Sequence, residues 1–477
     1  MIPGQIGRRA WLAACVAGVC LVTTPAQAGP ILTPLLSFTG TNGAYPGANP
    51  DCGLALGPDG NFYGTTSAGG SNDLGTVFRV SPDGTFTSLV SFDGANGADP
   101  QAALTPGGDG ALYGTTYTGG ASNWGTIFLI TTNGAFTNLF SFIGTSHPEQ
   151  GANPAAALVP DGAGNFYGTA DYGGPFTNAI EQGYGYGTVF KLAGDGAVTV
   201  PAVFSNTNGA HPSGGLVPGR DGNFYGTTTW GGRGISGSFP GFGTIFKMSP
   251  AGVLTNLYRF TGSDDGGFIY AGLAQGRNGF LYGAAFGGGA NGYGTLFKIS
   301  TNGDFTWLHA FASYESGSPV GGLMEGSDGN FYGTTYGAYA GYGTVFRLSP
   351  DGAFTNLIFF NSVNGAHPEG VLLQGPDNNF YGTTSLGGAN GLGTIFRLRV
   401  PLPPVIQTIA WTDGAVTFTW SAVAGLTYRS QYSTNLAQTD WINLTKPIIA
   451  TGGTMSATDH TATGSPQRFY RALLLPP

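Results

Sequence analysis

The chain has 477 residues, 41% of them hydrophobic, 13% aromatic and only 9% charged, which excludes disorder, a state that needs low hydrophobicity and high net charge. Its 86 glycines follow no Gly-X-Y period, so collagen is excluded as well. The formal charge of -8, with 17 Lys and Arg, leaves no electrostatic footprint for nucleic acid or for an anionic membrane surface.

Residues 1 to 28 read as a signal peptide: Arg8 and Arg9, an apolar run from Ala10 to about Thr24, then Ala26-Gln27-Ala28 as the cleavage site. The run is shorter than the roughly 20 residues that a spanning helix needs, so no membrane insertion is expected once the leader is removed. Arg8-Arg9-Ala10-Trp11-Leu12 is similar to a twin-arginine export signal. Leu12-Ala13-Ala14-Cys15 has the look of a lipobox, but almost no apolar run precedes it. Cleavage would remove Cys15 and Cys20 and leave Cys52 as a lone thiol with no disulfide partner.

From residue 29 to 400 the chain repeats. Asn61-Phe62-Tyr63-Gly64-Thr65-Thr66 recurs with its tyrosine at Tyr63, Tyr113, Tyr167, Tyr225, Tyr282, Tyr332 and Tyr381, seven copies about 50 to 58 residues apart. Nine residues before each tyrosine stands a leucine, from Leu54 to Leu372, mostly preceded by small residues. Downstream, a Gly-Thr-x-Phe segment brings Phe78 and its equivalents, and in the first six copies another phenylalanine follows fourteen residues later, as at Phe92. These four short runs have strand length. Asp-Gly or Asn-Gly pairs separate them, as at Asp59-Gly60 and Asp83-Gly84, and tight hairpin turns demand such pairs because their central residues need positive φ. Each repeat is therefore expected to be a four-stranded antiparallel meander, A to D.

The seventh copy ends after strand C, at Phe396, and runs into a Pro-rich linker at 401–404. Its missing fourth strand lies at the other end of the chain, where Leu35-Leu36-Ser37-Phe38 matches the D pattern Leu89-Val90-Ser91-Phe92. A ring can use such a split and an open solenoid cannot, so the expected fold is an all-β, seven-bladed β-propeller closed by an N-terminal strand. Closure also leaves no long unpaired edge.

The Tyr63 to Thr66, Gly69-Gly70 and Gly75 to Phe78 elements resemble the GloVer tandem repeat of exported cyanobacterial and verrucomicrobial proteins, over roughly residues 33 to 400. That resemblance implies export and no activity, substrate or catalytic residue. Residues 405 to 477 change character: Val416-Thr417-Phe418-Thr419-Trp420 and Tyr428 to Ser433 alternate, which predicts a small β-sandwich. This segment is similar to fibronectin-III-like C-terminal modules.

Only two connections vary in length. The B to C loop spans 23 residues from tyrosine to phenylalanine in the third repeat and 21 in the fourth, against 14 or 15 elsewhere, and the D to A connection varies as well. Both emerge on one face of an up-and-down meander, which makes that face the expected binding surface. Tyr172, Tyr184, Trp230 and Phe239 of the long loops are the candidate ligand contacts, suited to sugar rings or a protein partner. Tyr186 and Phe242 fill a position before Gly-Thr that is large and apolar in every repeat, so they are read as structural.

His147, His211 and His367 each precede proline, and the matching places are read as Tyr45-Pro46 and Asp99-Pro100, too irregular a set for a metal ring. The Asp-Gly carboxylates read as turn formers, Cys52 as a small buried thiol, and the basic residues after each C-strand phenylalanine as a solvated face. Asp171, Glu181, Asp264, Asp265, Glu315 and Glu369 are available for carboxylate catalysis, but none sits in a motif that marks a role. No catalytic residue, metal or cofactor is expected. The reading is a non-catalytic exported binding or scaffold protein with a glycan or envelope-protein partner; the alternatives are a polysaccharide-active enzyme and a purely structural envelope protein.

Overall fold

The computed structural model describes residues 15–16, 19–21, 29–144, 150–176, 184–232, 241–337, 341–400, 404, 406–422, 425–435, 441–462 and 468–475. Among these there is no α-helix; a single 3-10 turn spans Ser313–Glu315. The chain divides into two compact units, Leu32–Leu398 and a second made of Met1–Ile31 with Arg399–Pro477.

The larger unit contains four-stranded antiparallel sheets in the order A-B-C-D. In the first, Ala55–Leu56, Phe62–Thr66, Thr76–Val80 and Phe86–Ser91 are the four strands. Five further sheets start at Thr105–Pro106, Val159–Pro160, Val217–Pro218, Ala274–Gln275 and Met324–Glu325. The last is split as the spacing implies: Leu373–Gln374, Phe380–Thr384 and Thr394–Arg399 are completed by Ile31–Ser37 from the start of the chain.

The geometry gives each residue of the tyrosine motif a task. The Tyr63 hydroxyl donates to the Asp59 carboxylate at 2.8 Å, and the same pair recurs at Tyr225 and Asp221 (2.7 Å) and at Tyr332 and Asp328 (2.9 Å). A Cβ on Gly64 would lie 2.5 Å from the ring of Phe78, so only glycine lets strands B and C close over that phenylalanine. The Thr65 hydroxyl faces carbonyls of the next repeat, Ala102 at 3.3 Å, while Thr66 pairs with Thr76 at 2.8 Å. Where the tyrosine of the following repeat is preceded by phenylalanine, the tyrosine ring packs on that phenylalanine, Tyr113 on Phe166 at 4.2 Å and Tyr332 on Phe380 at 4.2 Å. Tyr381 of the seventh repeat packs in the same way on Phe62 of the first.

Two expectations need correction. Only the glycine of each Asp-Gly pair has positive φ, 78° at Gly60. Gly60 N–H donates to the Gly57 carbonyl at 3.1 Å, the pattern of a type I turn closed by a left-handed glycine, and the Asp59 carboxylate fastens it by accepting from Asn61 N–H at 3.2 Å. The basic residues after the C-strand phenylalanines are also not simply solvated. Lys247 pairs with Asp221 at 3.0 Å above the Tyr225 ring, and Arg79 reaches the Thr132 carbonyl at 3.3 Å.

The smaller unit holds a three-stranded sheet, Ile406–Thr412, Ala415–Ser421 and Thr454–Asp459, and a second sheet built around Thr427–Ser433 and Arg468–Leu474. Val19–Leu21 pairs parallel to the last of these strands. Phe418, Trp420, Tyr428 and Tyr470 form the core.

Candidate functional site

Each D to A connection ends in a residue forced into left-handed backbone: Asn49, Asp99, Asn153, His211, Phe268, Ser318 and His367, with φ between 53° and 61°. Its N–H donates to a B to C loop carbonyl of the preceding sheet, as Asn49 does to Leu392 at 3.0 Å and His211 to Tyr186 at 3.0 Å. Its own carbonyl accepts from the residue that follows strand B in its own repeat, Ser67 N–H at 3.0 Å and Thr229 N–H at 2.9 Å in those two cases. This double tie costs a strained conformation in a non-glycine residue, and it delivers the residue two places later to the same spot in every repeat.

That residue is Asp51, Gln101, Ala155, Ser213, Tyr270, Val320 or Glu369, and all seven line one cavity of about 540 Å³. The next two positions form its walls and are small, among them Cys52, Ala102, Ala156 and Gly214, with Val371 of the last repeat the exception. Smallness is required there, since a Cβ on Gly53 would lie 2.6 Å from the Val371 carbonyl oxygen. The Cys52 thiol is buried and held at 3.0 Å from the Thr65 hydroxyl; burial pushes its pKa up, which makes it unreactive.

Two carboxyl groups, Asp51 and Glu369, line this mouth, and two more, Asp171 and Asp99, bond to its lining residues Ser213 and Gln101. Asp51 accepts from Ser67 at 2.6 Å, Glu369 from Ser385 at 2.6 Å, Asp171 from Ser213 at 2.8 Å, and Asp99 from Gln101 at 2.9 Å. Burial pushes the Asp51 carboxyl up to about 7; the Ser67 hydrogen bond opposes this, and the charges of Glu369 and Asp99 add to it. Burial likewise raises Glu369 and Asp99 above the usual carboxylate range. Among the described residues no Lys or Arg lines the cavity, so it suits hydrogen-bond donors and disfavours anions.

The structure brings Tyr172 and Tyr184 together, ring centroids 5.9 Å apart, with Trp124 5.9 Å beyond Tyr184 and His211 5.0 Å from Tyr172. Tyr184 is exposed and Tyr172 half-buried. Trp230 packs instead on Phe268 of the next repeat at 4.9 Å. Phe239, Glu181 and His147 lie outside the described residues. Tyr186 is buried, and Phe242 packs against the core of the next sheet.

The histidine alignment is corrected by the left-handed residues. Asn49 and Asn153 take the place of His211 and His367, and neither Tyr45 nor His147 does, because the first and third connections carry extra residues. The His367 ring stacks on Tyr336 at 4.2 Å with Nδ1 2.8 Å from the Tyr336 carbonyl. Among the described residues no group of three metal-ligating side chains converges, and no helix is long and apolar enough to cross a membrane. Asp51 and Asp99 were missed in the sequence. The one signal that finds them is their register, three and five places before the strand A leucine.

The chain matches the family described as the Gloeobacter/Verrucomicrobia repeat over residues 18–181, 177–337 and 236–422. No curated protein matches it in sequence. Among solved structures it is similar to the extracellular domain of a hybrid two-component system from B. thetaiotaomicron, at 10% identity and a TM-score of 0.50, covering 95% of this chain and 58% of that one. It thus spans less than two thirds of that protein's length. A Bacteroides uniformis protein assigned as a 6-phosphogluconolactonase aligns at 16% identity and a TM-score of 0.46, over 85% of this chain and 99% of that one. The β-propeller domain of the trilobed protease from Pyrococcus furiosus aligns at 9% and 0.41, over 74% and 92%. At such identities the likeness concerns fold and not activity.

Proposed function

We propose, from the premise that this chain belongs to the Gloeobacter/Verrucomicrobia repeat family, that it is an exported, non-catalytic binding protein. Its platform is a seven-bladed β-propeller with a small C-terminal β-sandwich of fibronectin-III-like type, and its binding face is the one formed by the B to C and D to A loops. The observation that carries this reading is where the repeats differ. Their tyrosines, threonines and glycines repeat with little change, whereas the residue three places before each strand A leucine runs through Asp, Gln, Ala, Ser, Tyr, Val and Glu around a single cavity. Seven chemically different groups on one rigid frame suit selective recognition of an asymmetric ligand.

The partner is a glycan or an envelope protein that offers hydrogen-bond donors to the carboxyl-rich mouth, with Tyr172, Tyr184, Trp230 and Phe239 on the surrounding loops as further contacts. Export is supported by the leader-like N-terminus and by the family.

The test is binding of the mature chain to a glycan array and to an envelope extract. Glu369→Gln together with Asp51→Asn, and separately loops 170–186 and 229–242 shortened to the length of the other repeats, should each weaken binding about tenfold or more. Undiminished binding by both would remove the face from the proposal. Release of new reducing ends from a polysaccharide panel, abolished by Asp171→Asn, would replace it with the enzyme reading.

A further inference from the structure

We infer that the outer edge of the fifth sheet carries a saccharide-stacking subsite built on Trp307, separate from the central mouth. The strand D residue opposite each C-strand phenylalanine is Ser88, Asn138, Asn256 or Asn356 in four other sheets. In two of these its amide ties the outer strand to the preceding D to A loop. Asn356 reaches the Glu315 carbonyl at 3.5 Å, and Asn256, in the amide orientation its surroundings require, donates to the Asn208 carbonyl at 2.9 Å. In the fifth sheet that place, opposite Phe297, holds Trp307, which is 51% exposed. A lone surface indole is ordinary. This one stands where a structural amide belongs and forms the wall of a pocket.

The pocket has a volume of about 410 Å³ and is lined by Asp264, Asp265, Ala290, Phe305 and Trp307. Phe305 is locked beneath it, stacked on Tyr258 with centroids 4.0 Å apart and planes within 9°. Asp265 is already engaged, accepting from Tyr258 (3.1 Å), Thr261 N–H (2.9 Å) and the Thr261 hydroxyl (2.5 Å). Asp264 is exposed at the lip. Among the described residues no Lys or Arg contributes, so an anionic ligand would meet only carboxylates. A cation would meet both carboxylates, but Asp265 already accepts three hydrogen bonds, and the remaining wall of Ala290, Phe305 and Trp307 offers no side-chain acceptor to replace a cation's hydration. A neutral pyranose fits both surfaces: its C–H face covers the indole and its hydroxyls donate to Asp264 in charge-assisted hydrogen bonds.

The experiment titrates the full chain by calorimetry with neutral hexasaccharides of β-1,4-glucan, β-1,3-glucan, α-1,4-glucan and β-1,4-mannan, and with tetra-arginine peptide. The indole N–H of Trp307 is followed by nuclear magnetic resonance. One or more saccharides should bind and shift that resonance. Trp307→Ala should weaken binding about tenfold and Trp307→Phe much less, with Asp264→Asn between them. Trp411→Ala removes another exposed indole and should leave this binding unchanged. The proposal is overturned if no neutral saccharide binds, if Trp307→Ala binds like the parent, or if tetra-arginine alone shifts the resonance.

Discussion

Gly64 has no side chain to contribute, yet the Tyr-Gly-Thr-Thr segment fails without it, because the Phe78 ring occupies the space a Cβ would take. Gly64→Ala should therefore destabilise the repeat unit by about 1–3 kcal/mol, seen as a lower denaturant midpoint at unchanged slope. Asp51 makes the opposite kind of prediction. Its folded pKa, raised to about 7 mainly by burial, means that the folded chain holds a proton the unfolded chain has lost above about pH 4. Stability is thus fully supported in acid and falls as pH rises toward 7. Asp51→Asn should raise the melting temperature at about pH 8 and leave it nearly unchanged at about pH 4. The sequence made the repeated tyrosines visible by simple recurrence. The mouth was harder to see, because its residues are the ones that do not recur, and their common register emerges only when counted back from the leucine, since extra residues before Asn49 and Asn153 upset a count forward from the strand D phenylalanine.

At the level of strands, four runs per repeat, their order and the borrowed fourth strand of the last sheet were all legible, since alternation and fixed spacing follow directly from strand pairing. Two features were not. Strand A shrinks to two residues, as at Ala55–Leu56, because Cys52 and Gly53 just ahead of it must line the cavity instead of pairing. Strand D carries a register shift opposite Val77 and Phe78, repeated at Leu296 and Phe297, and such a bulge has no composition of its own. The closing strand gives the sharpest test at this scale. Removing residues 30–38 should strip Thr394–Arg399 of its outer neighbour, produce aggregation visible by light scattering, and be partly reversed by adding the excised segment as a peptide.

At the level of the whole chain, the two compact units predict two separable melting transitions. In the smaller, Asp459 is fully buried, paired with Arg468 and accepting from Tyr470 at 2.9 Å. Burial pulls its pKa up, but hydrogen bonds from Thr461, Tyr470 and Arg468 outweigh that and hold it below the usual carboxylate range. Its contribution is therefore present at neutral pH and lost as pH falls through that lowered value. Asp459→Ala leaves a buried cation unpaired, at a cost of about 3–5 kcal/mol, and calorimetry should show the smaller transition collapse while the larger one stays. The split seventh sheet also sets a clock. Ile31–Ser37 leaves the ribosome more than 360 residues before the strand it must join, Thr394–Arg399. At about 5–20 residues per second, it waits roughly 20 to 70 seconds without a partner. Throughout that interval its hydrogen-bonding edge is open to chaperones, so the moment of closure is decided by the last repeat to be made and not by the first.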